Sequence, residues 1–196
     1  MSIKAMIAAS PIAAVVTDPR QPDNPIVACN QAFEVLTGYS SEEILGRNCR
    51  FLAGPGTELA LSQELRSGQL ERRPVLIEIL NYKKDGTPFR NALLVAPIFD
   101  DQGELEYFIG SQMAVPDQSG QQTLDRQRIA RHMIDALSPQ RRAVLIAMAA
   151  GKRNKQIAFA MAITERTVKM HRAEVLSSLR VKTSADAIRI AIEAGY

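Results

Sequence analysis

The chain has 196 residues, 46% apolar and 23% charged, which gives room for one medium domain or two small ones of ordinary globular composition. No stretch approaches the eighteen or so consecutive apolar residues a membrane-spanning helix needs, so a membrane span is excluded and no membrane partner is expected. The net charge of +3 is unevenly divided: residues 1–116 hold 10 Lys+Arg against 14 Asp+Glu, and residues 117–196 hold 14 against 7.

An excess of basic groups in the second part points to a polyanion partner, most often nucleic acid, unless it is only a solvated basic surface. The first ten residues are too short and too weakly apolar for a signal peptide. Cys29 and Cys49 are therefore read as free thiols of a protein in the reducing cytoplasm.

Residues 12–16 and 26–29 form two short apolar runs, the first ended by Asp18-Pro19 and the second preceded by Pro25. Short helical patterns follow. Asn30 caps one through Leu36, stopped by Gly38. Ser40 or Ser41 with Glu43 caps residues 42–45, stopped by Gly46. Thr57 opens a longer helix to about Ser67, ended by Gly68. Three strands come next, joined by hairpins at Asp85-Gly86 and at residues 100–103. Two strands, short helices and three strands make an α+β unit, a curved antiparallel sheet with helices on one face. A polar, Pro/Gly-containing stretch over residues 116–122 reads as the domain boundary.

Strand alternation places amides on otherwise apolar faces. Asn81 shares a face with Val75, Ile77 and Ile79; Asn91 with Phe89, Leu93 and Val95; Gln112 with Phe108 and Gly110. Unpaired buried amides are costly, at about 1–3 kcal/mol per unsatisfied group. A planar ligand with donors and acceptors along one edge would satisfy them. Bonds among the amides, or exposure to water, would do so equally.

Residues 46–54 read G-R-N-C-R-F-L-A-G, with Cys49 between an amide and an arginine. Together with V-V-T-D-P-R, D-N-P-I, L-N-Y-K-K-D-G and Y-F-I-G-S-Q, this resembles the LOV domains, the blue-light-sensing branch of the PAS family, over residues 12–115. The resemblance implies a five-stranded antiparallel PAS/LOV sheet with short helices, FMN as cofactor, and Cys49 as the thiol that forms a light-driven adduct. It implies flavin-ring contacts from Asn48, Asn81, Asn91 and Gln112, and phosphate contacts from Arg50 and Arg66. Thr17 and Asn24 match pocket positions, and Val15, Leu52, Leu93, Phe108 and Gly110 would line the ring. Ala53 stands where many plant LOV domains have glutamine. Gln112 is expected to reorient when the ring nitrogen beside the adduct becomes a donor. Cys29, in an apolar strand, reads as a structural thiol.

The second part is helical. Residues 124–137 carry Ile129, Met133 and Leu137 at a spacing of four, and segments 139–150, 155–161, 165–180 and 184–194 follow. The pair 155–161 and 165–180 has helix-turn-helix spacing. Val168, Val175, Leu176 and Leu179 make an inner stripe, while Arg166, Lys169, Met170, Ala173 and Ser177 make a face that can enter a major groove. An ordinary helical bundle is the plainer alternative.

L-S-P-Q-R-R-A-V-L, G-K-R-N-K-Q-I-A, T-E-R-T-V-K-M-H-R and L-R-V-K-T-S-A-D-A are similar to the LuxR-type DNA-binding domain, over residues 137–195. The resemblance implies an all-α four-helix fold and double-stranded DNA as partner. Base-reading positions fall on Lys169 and Met170, with Arg166 on the same face. Lys155, Thr167, His171 and Arg172 become phosphate contacts. The last helix is apolar over a wide arc: Ala187, Ile188, Ile190, Ala191 and Ala194, with Ile192 and Gly195. A partner chain or the sensor sheet could cover it, and in LuxR-type domains this helix is the dimer contact.

The expected organisation is a photosensor at 1–116, a linker with a helix at 117–137, and a DNA-binding and dimerisation domain at 138–196. The expected function is a blue-light-regulated transcription factor, similar to the bacterial LOV-HTH regulators and not an enzyme. Adduct formation would release the helical domain from the sheet to form a homodimer on DNA. The competing readings are a PAS regulator that senses redox state or a small metabolite, and a flavin enzyme with a DNA-binding appendage. Against the latter, the only two histidines, His132 and His171, lie outside the sensor.

Overall fold

The structure, a computed structural model, describes residues 5, 7–116 and 119–196, with the backbone alone at 119–124. Its first part is a five-stranded sheet of β1 (Ala13–Thr17), β2 (Ile26–Cys29), β3 (Val75–Tyr82), β4 (Pro88–Phe99) and β5 (Leu105–Val115). The strand order is β2-β1-β5-β4-β3, and every neighbouring pair is antiparallel. The two long hairpins turn on glycines with positive φ, Gly86 at 84° and Gly103 at 89°, where a side chain would be strained. β5 is the middle strand, so each of its faces is flanked on both sides.

Between β2 and β3 the chain runs through α1 (Gln31–Thr37), α2 (Ser41–Ile44), a 3-10 turn (Cys49–Leu52) and α3 (Leu59–Leu70). Asn30 caps α1 by accepting the Phe33 N–H, and Gly38 ends it in the left-handed region. The expectation for the third helix needs correction. α3 starts after Glu58 and runs through Gly68. Thr57 instead accepts the Gly54 N–H and donates to the Leu80 carbonyl. A Cβ on Gly68 would lie 2.0 Å from Val75 Cγ2, so this glycine lets the helix approach β3 and does not stop it.

The second part comprises α4 (Ser119–Asp135), α5 (Pro139–Ala149), α6 (Asn154–Met161), α7 (Glu165–Leu179) and α8 (Ser184–Glu193). The helix expected in the linker from residue 124 already begins at Ser119, while residues 117 and 118 lie outside those described. In α4 the buried residues are Ala130 and Ile134, each one position on from those expected, while Leu137, just past the helix end, is buried as expected. Ile129 is exposed and Met133 half-buried. A spacing of four fixes a face but not which side of it the core lies on.

The sheet and the helices share one core. Ala14, Val16, Leu94, Ala96 and Ile109 on the outer face of the sheet are in a single apolar cluster with Ile134, Leu145, Ile157, Val168, Ile188 and Ala191. The inner face carries two separate clusters, one around Phe33 and Ile44 and one around Val75, Ile77 and Ile79. Successive residues of β4 and β5 therefore alternate between the cavity and the helices.

Candidate functional site

The inner face of the sheet closes over a cavity of about 200 Å³. Its lining includes Thr17, Asn24, Asn48, Cys49, Arg50, Leu52, Arg66, Asn81, Leu93, Phe108, Gly110 and Gln112, with Val15 beside them. Asn91 is fully buried just behind the lining. Its amide NH2 donates to Asn81 Oδ1 at 2.9 Å and to Gln112 Oε1 at 2.8 Å. The three strand-borne amides thus do bond one another, yet their needs are not met. Asn91 Oδ1, Thr17 Oγ1 and Asn24 Oδ1 are buried without a hydrogen-bond partner. Orphaned groups of this kind fit a ligand that brings its own donors and acceptors.

The rest of the lining matches a planar ring with an anionic tail. Val15, Ile79, Leu93 and Phe108 are apolar, and Gly110 keeps space clear where a Cβ would stand 3.0 Å from Val15 Cγ2. Arg50 and Arg66 stand at the exposed rim, where Arg50 pairs with Asp23 at 2.6 Å. Asp23 and Asn24 both have positive φ, 68° and 48°, and Asn48 Nδ2 donates to the Asp23 carbonyl at 2.6 Å. Two consecutive non-glycine residues in this region store strain beside the cavity.

Cys49 opens the 3-10 turn, whose first residue is preceded by the capping Asn48; the Asn48 side chain accepts the Arg50 N–H at 3.0 Å. Burial pushes the Cys49 thiol up to about 12, against a smaller opposing pull from Arg50. The group is therefore a neutral thiol near pH 7. Cys29 is likewise outside any disulfide, half-buried against the Phe33 cluster and outside the cavity lining.

Ala53, Ile79 and Val95 also line the cavity, as does Thr57, which the sequence suggested only as a helix cap; Ser62, Leu65 and Gln69 line it too and were not singled out from the sequence. Ser62, Leu65, Arg66 and Gln69 recur at helical spacing on α3, so the assignment of Arg66 already pointed to them. Ala53 presents only a methyl to the cavity.

On the opposite side of the sheet, α8 is buried along most of its length, with Ala187, Ile188, Ala191 and Ala194 covered and Ile190 half-covered. Its Arg189 is 2% exposed. One guanidinium nitrogen donates to the Ser111 carbonyl at 3.1 Å and to Ser111 Oγ at 3.2 Å. Another donates to the Ala92 carbonyl at 3.1 Å, and Nε donates to Glu193 at 2.8 Å. Ser10 Oγ donates to Asp186, which also closes the capping box of α8 with Thr183. Arg126 of α4 pairs with Glu78 of β3 at 2.5 Å.

In the helix-turn-helix pair, Ala162 ends α6 with φ 53°, and Thr164 caps α7 by accepting the Thr167 N–H. Lys155, Arg166, Lys169, Met170 and Ala173 are exposed. Thr167 is half-buried and shares a hydroxyl bond with Thr164. The other two phosphate-contact candidates are held inward. Arg172 donates to Asn154 Oδ1 at 2.6 Å and to Ser184 Oγ at 2.8 Å, tying α7 to α6 and α8. His171 Nδ1 lies 3.2 Å from Glu174, which also accepts from Arg141 of α5. Their place in the helix was legible, but not these internal partners.

Among the described residues no helix is long and apolar enough to cross a membrane, and no group of His, Cys, Asp and Glu is arranged to hold a metal.

The PAS domain model matches residues 12–113, and the model of bacterial regulatory proteins of the luxR family matches residues 135–191. A blue-light-activated histidine kinase of Erythrobacter litoralis is 50% identical over 106 residues, covering 54% of this chain and 29% of that protein. The chain thus spans under a third of that relative's length, and the shared stretch is no longer than the sensor. The dark structure of the Aureochrome1 LOV photoreceptor superposes with a TM-score of 0.57 at 36% identity, covering 66% of this chain and 94% of that one. A structure titled "Flavin Analogue Sheds Light on Light-Oxygen-Voltage Domain Mechanism" gives 0.55 at 38% identity, covering 60% and 87%. With the PAS model matched over more than half its length and a LuxR-type match beyond it, the chain belongs to the PAS family, as a LOV-type sensor joined to a LuxR-type helix-turn-helix domain.

Proposed function

We propose that this protein is a blue-light-regulated, DNA-binding transcription factor whose sensor holds FMN. The observation that carries the reading is the pairing of two sites across one sheet. The inner face offers a thiol, three amides and three orphaned oxygens around a cavity, and the outer face holds α8 through Arg189.

Bound in the cavity, the flavin would supply blue-light absorption and an electrophilic ring carbon that a thiol can attack. Asn81, Asn91 and Gln112 would satisfy its polar edge, the apolar lining would hold its ring, and Arg50 and Arg66 would take its phosphate. Cys49 contributes both the sulfur and, being protonated at neutral pH, its proton. Gln112 can present either its carbonyl or its NH2 to the same partner by rotating about one bond. Its rotation would disturb the bond from Asn91 and hence the path of β4 and β5, where Arg189 is anchored.

Release of α8 is then the output. Its covered residues Ala187, Ile188, Ala191 and Ala194 become free to contact a second copy of the chain. Paired α7 helices present Arg166, Lys169 and Met170 to successive major grooves of a two-fold site. Moving such an equilibrium from 1:99 to 99:1 takes about 5.5 kcal/mol. Hydrogen bonds from a charged donor, at roughly 1.5–3 kcal/mol each, are of the right size when three are lost together.

Gel-shift titration with and without blue illumination tests the reading. The lit protein should bind duplex more tightly than the dark protein, and Cys49→Ala should not respond to light. Equal affinity in both conditions, or a protein that stays colourless when supplied with flavin, would overturn it.

A further inference from the structure

The start of α6 is also held by the sensor, through polar contacts. Arg153 is the capping residue of α6, and its Nε donates to the Phe99 carbonyl at 2.8 Å while its guanidinium pairs with Glu106. Gln156, one turn into the helix, accepts the Arg153 N–H at 2.9 Å and donates to the Asp100 carbonyl at 3.2 Å. The Phe99 N–H donates in turn to the Gly151 carbonyl at 3.4 Å. The approach is so close that a Cβ on Gly151 would lie 2.6 Å from the Pro97 carbonyl oxygen.

Charge runs the same way. The β4–β5 hairpin carries Asp100, Asp101, Glu104 and Glu106, while Lys152 and Arg153 lead into α6 and Lys155 lies in its first turn. Asp101 lines a cleft with Lys152, Arg153, Lys155, Lys169 and Arg172. Two of those, Lys155 and Lys169, are exposed groups on the helices already read as DNA-facing. A guanidinium at a helix start, flanked by lysines, is suited to oxyanions. Here carbonyl oxygens and a carboxylate stand where phosphate oxygens would.

We propose that this basic ridge, centred on Arg153, is a contact for the phosphate backbone of duplex DNA, and that the β4–β5 hairpin of the sensor withholds it by occupying it. The proposal rests on the reading of the helical part as DNA-binding. It adds to the covering of α8 a second restraint, electrostatic instead of apolar, on the DNA-contacting surface itself. Docking and duplex binding then compete for the same side chain, so DNA shifts the dark protein toward the undocked form by mass action.

Phosphate contacts are blind to sequence, so a duplex of arbitrary sequence serves as probe. Its affinity for the full flavin-loaded chain is measured by fluorescence anisotropy across a salt series, dark and lit. For Glu106→Gln the dark affinity should rise several-fold while the lit affinity matches the unmodified chain. For Arg153→Gln the lit affinity should fall, and the slope of log K against log salt should shrink by about 0.9. An unchanged slope in Arg153→Gln would remove Arg153 from the DNA contact. Unchanged dark affinity in Glu106→Gln, with its flavin spectrum intact, would remove the hairpin as the restraint. If the unmodified chain binds equally in dark and light, light gating fails, while these two comparisons still decide the ridge.

Discussion

Gln112 and Ser111 are neighbours in β5 that face opposite sides of the sheet: the Gln112 amide is bonded by Asn91 on the cavity side, and Ser111 receives Arg189 of α8 on the other. β4 repeats the arrangement, with Asn91 inward and the carbonyl of Ala92 bonded to Arg189. One buried guanidinium therefore reads the backbone beside two of the three cavity amides.

Removing that guanidinium tests the coupling. Arg189→Met should speed hydrogen exchange of the α8 amides in the dark by about ten- to a hundred-fold, since a carbonyl left unpaired costs about 1–3 kcal/mol. Unaltered protection of α8 would mean that apolar packing alone holds the helix.

Gln112→Leu separates photochemistry from output. The blue-induced absorbance change should persist because Cys49 is untouched, while the light-dependent change in α8 protection shrinks. A full-sized protection change would take Gln112 out of the route.

The raised thiol of Cys49 fixes a pH dependence. Its folded-state value, about 12, lies above the ordinary thiol value of 9.0, so between these limits the native state binds the proton that the unfolded chain has lost. The stability this group contributes is whole below pH 9 and declines as pH rises toward 12. Urea melts of the flavin-free protein should show that decline, and Cys49→Ala should lessen it. Over pH 6 to 8 the amplitude of the light-induced absorbance change should stay flat.

Arg66 distinguishes flavins. Arg66→Gln should weaken FMN binding by about ten-fold or more, the scale of one charge-assisted hydrogen bond, and leave riboflavin binding unchanged. Equal loss for both ligands would place Arg66 away from the phosphate.

Gly68 offers a packing test. Gly68→Ala sets a methyl against Val75 Cγ2 and should lower stability by about 1–3 kcal/mol in urea melts. Adding Val75→Ala should restore part of that loss, because it removes the atom in the way.

Much of this was open to a reading of the chain alone. Period-two alternation placed Asn81, Asn91 and Gln112 on the inner faces of three strands, and the Asn30 cap marked the start of α1. What escaped depends on contacts distant in sequence. Gly68 looked like a stop because only the approach of β3 explains it as an interior residue. Arg172 looked like a surface cation because Asn154 and Ser184 reach it from other helices. The inward turn of Arg189 is of the same kind: a charge in an apolar helix face shows its purpose only when two strand carbonyls are found beside it.

The apolar cluster that runs unbroken from Ala14 and Ile109 into Ile188 and Ala191 has a thermal consequence. Burial of such surface loses strength on cooling. The joint between sensor and effector should therefore be weakest in the cold, so that a chilled protein leaks output in darkness and the contrast between illuminated and unilluminated states narrows as temperature falls.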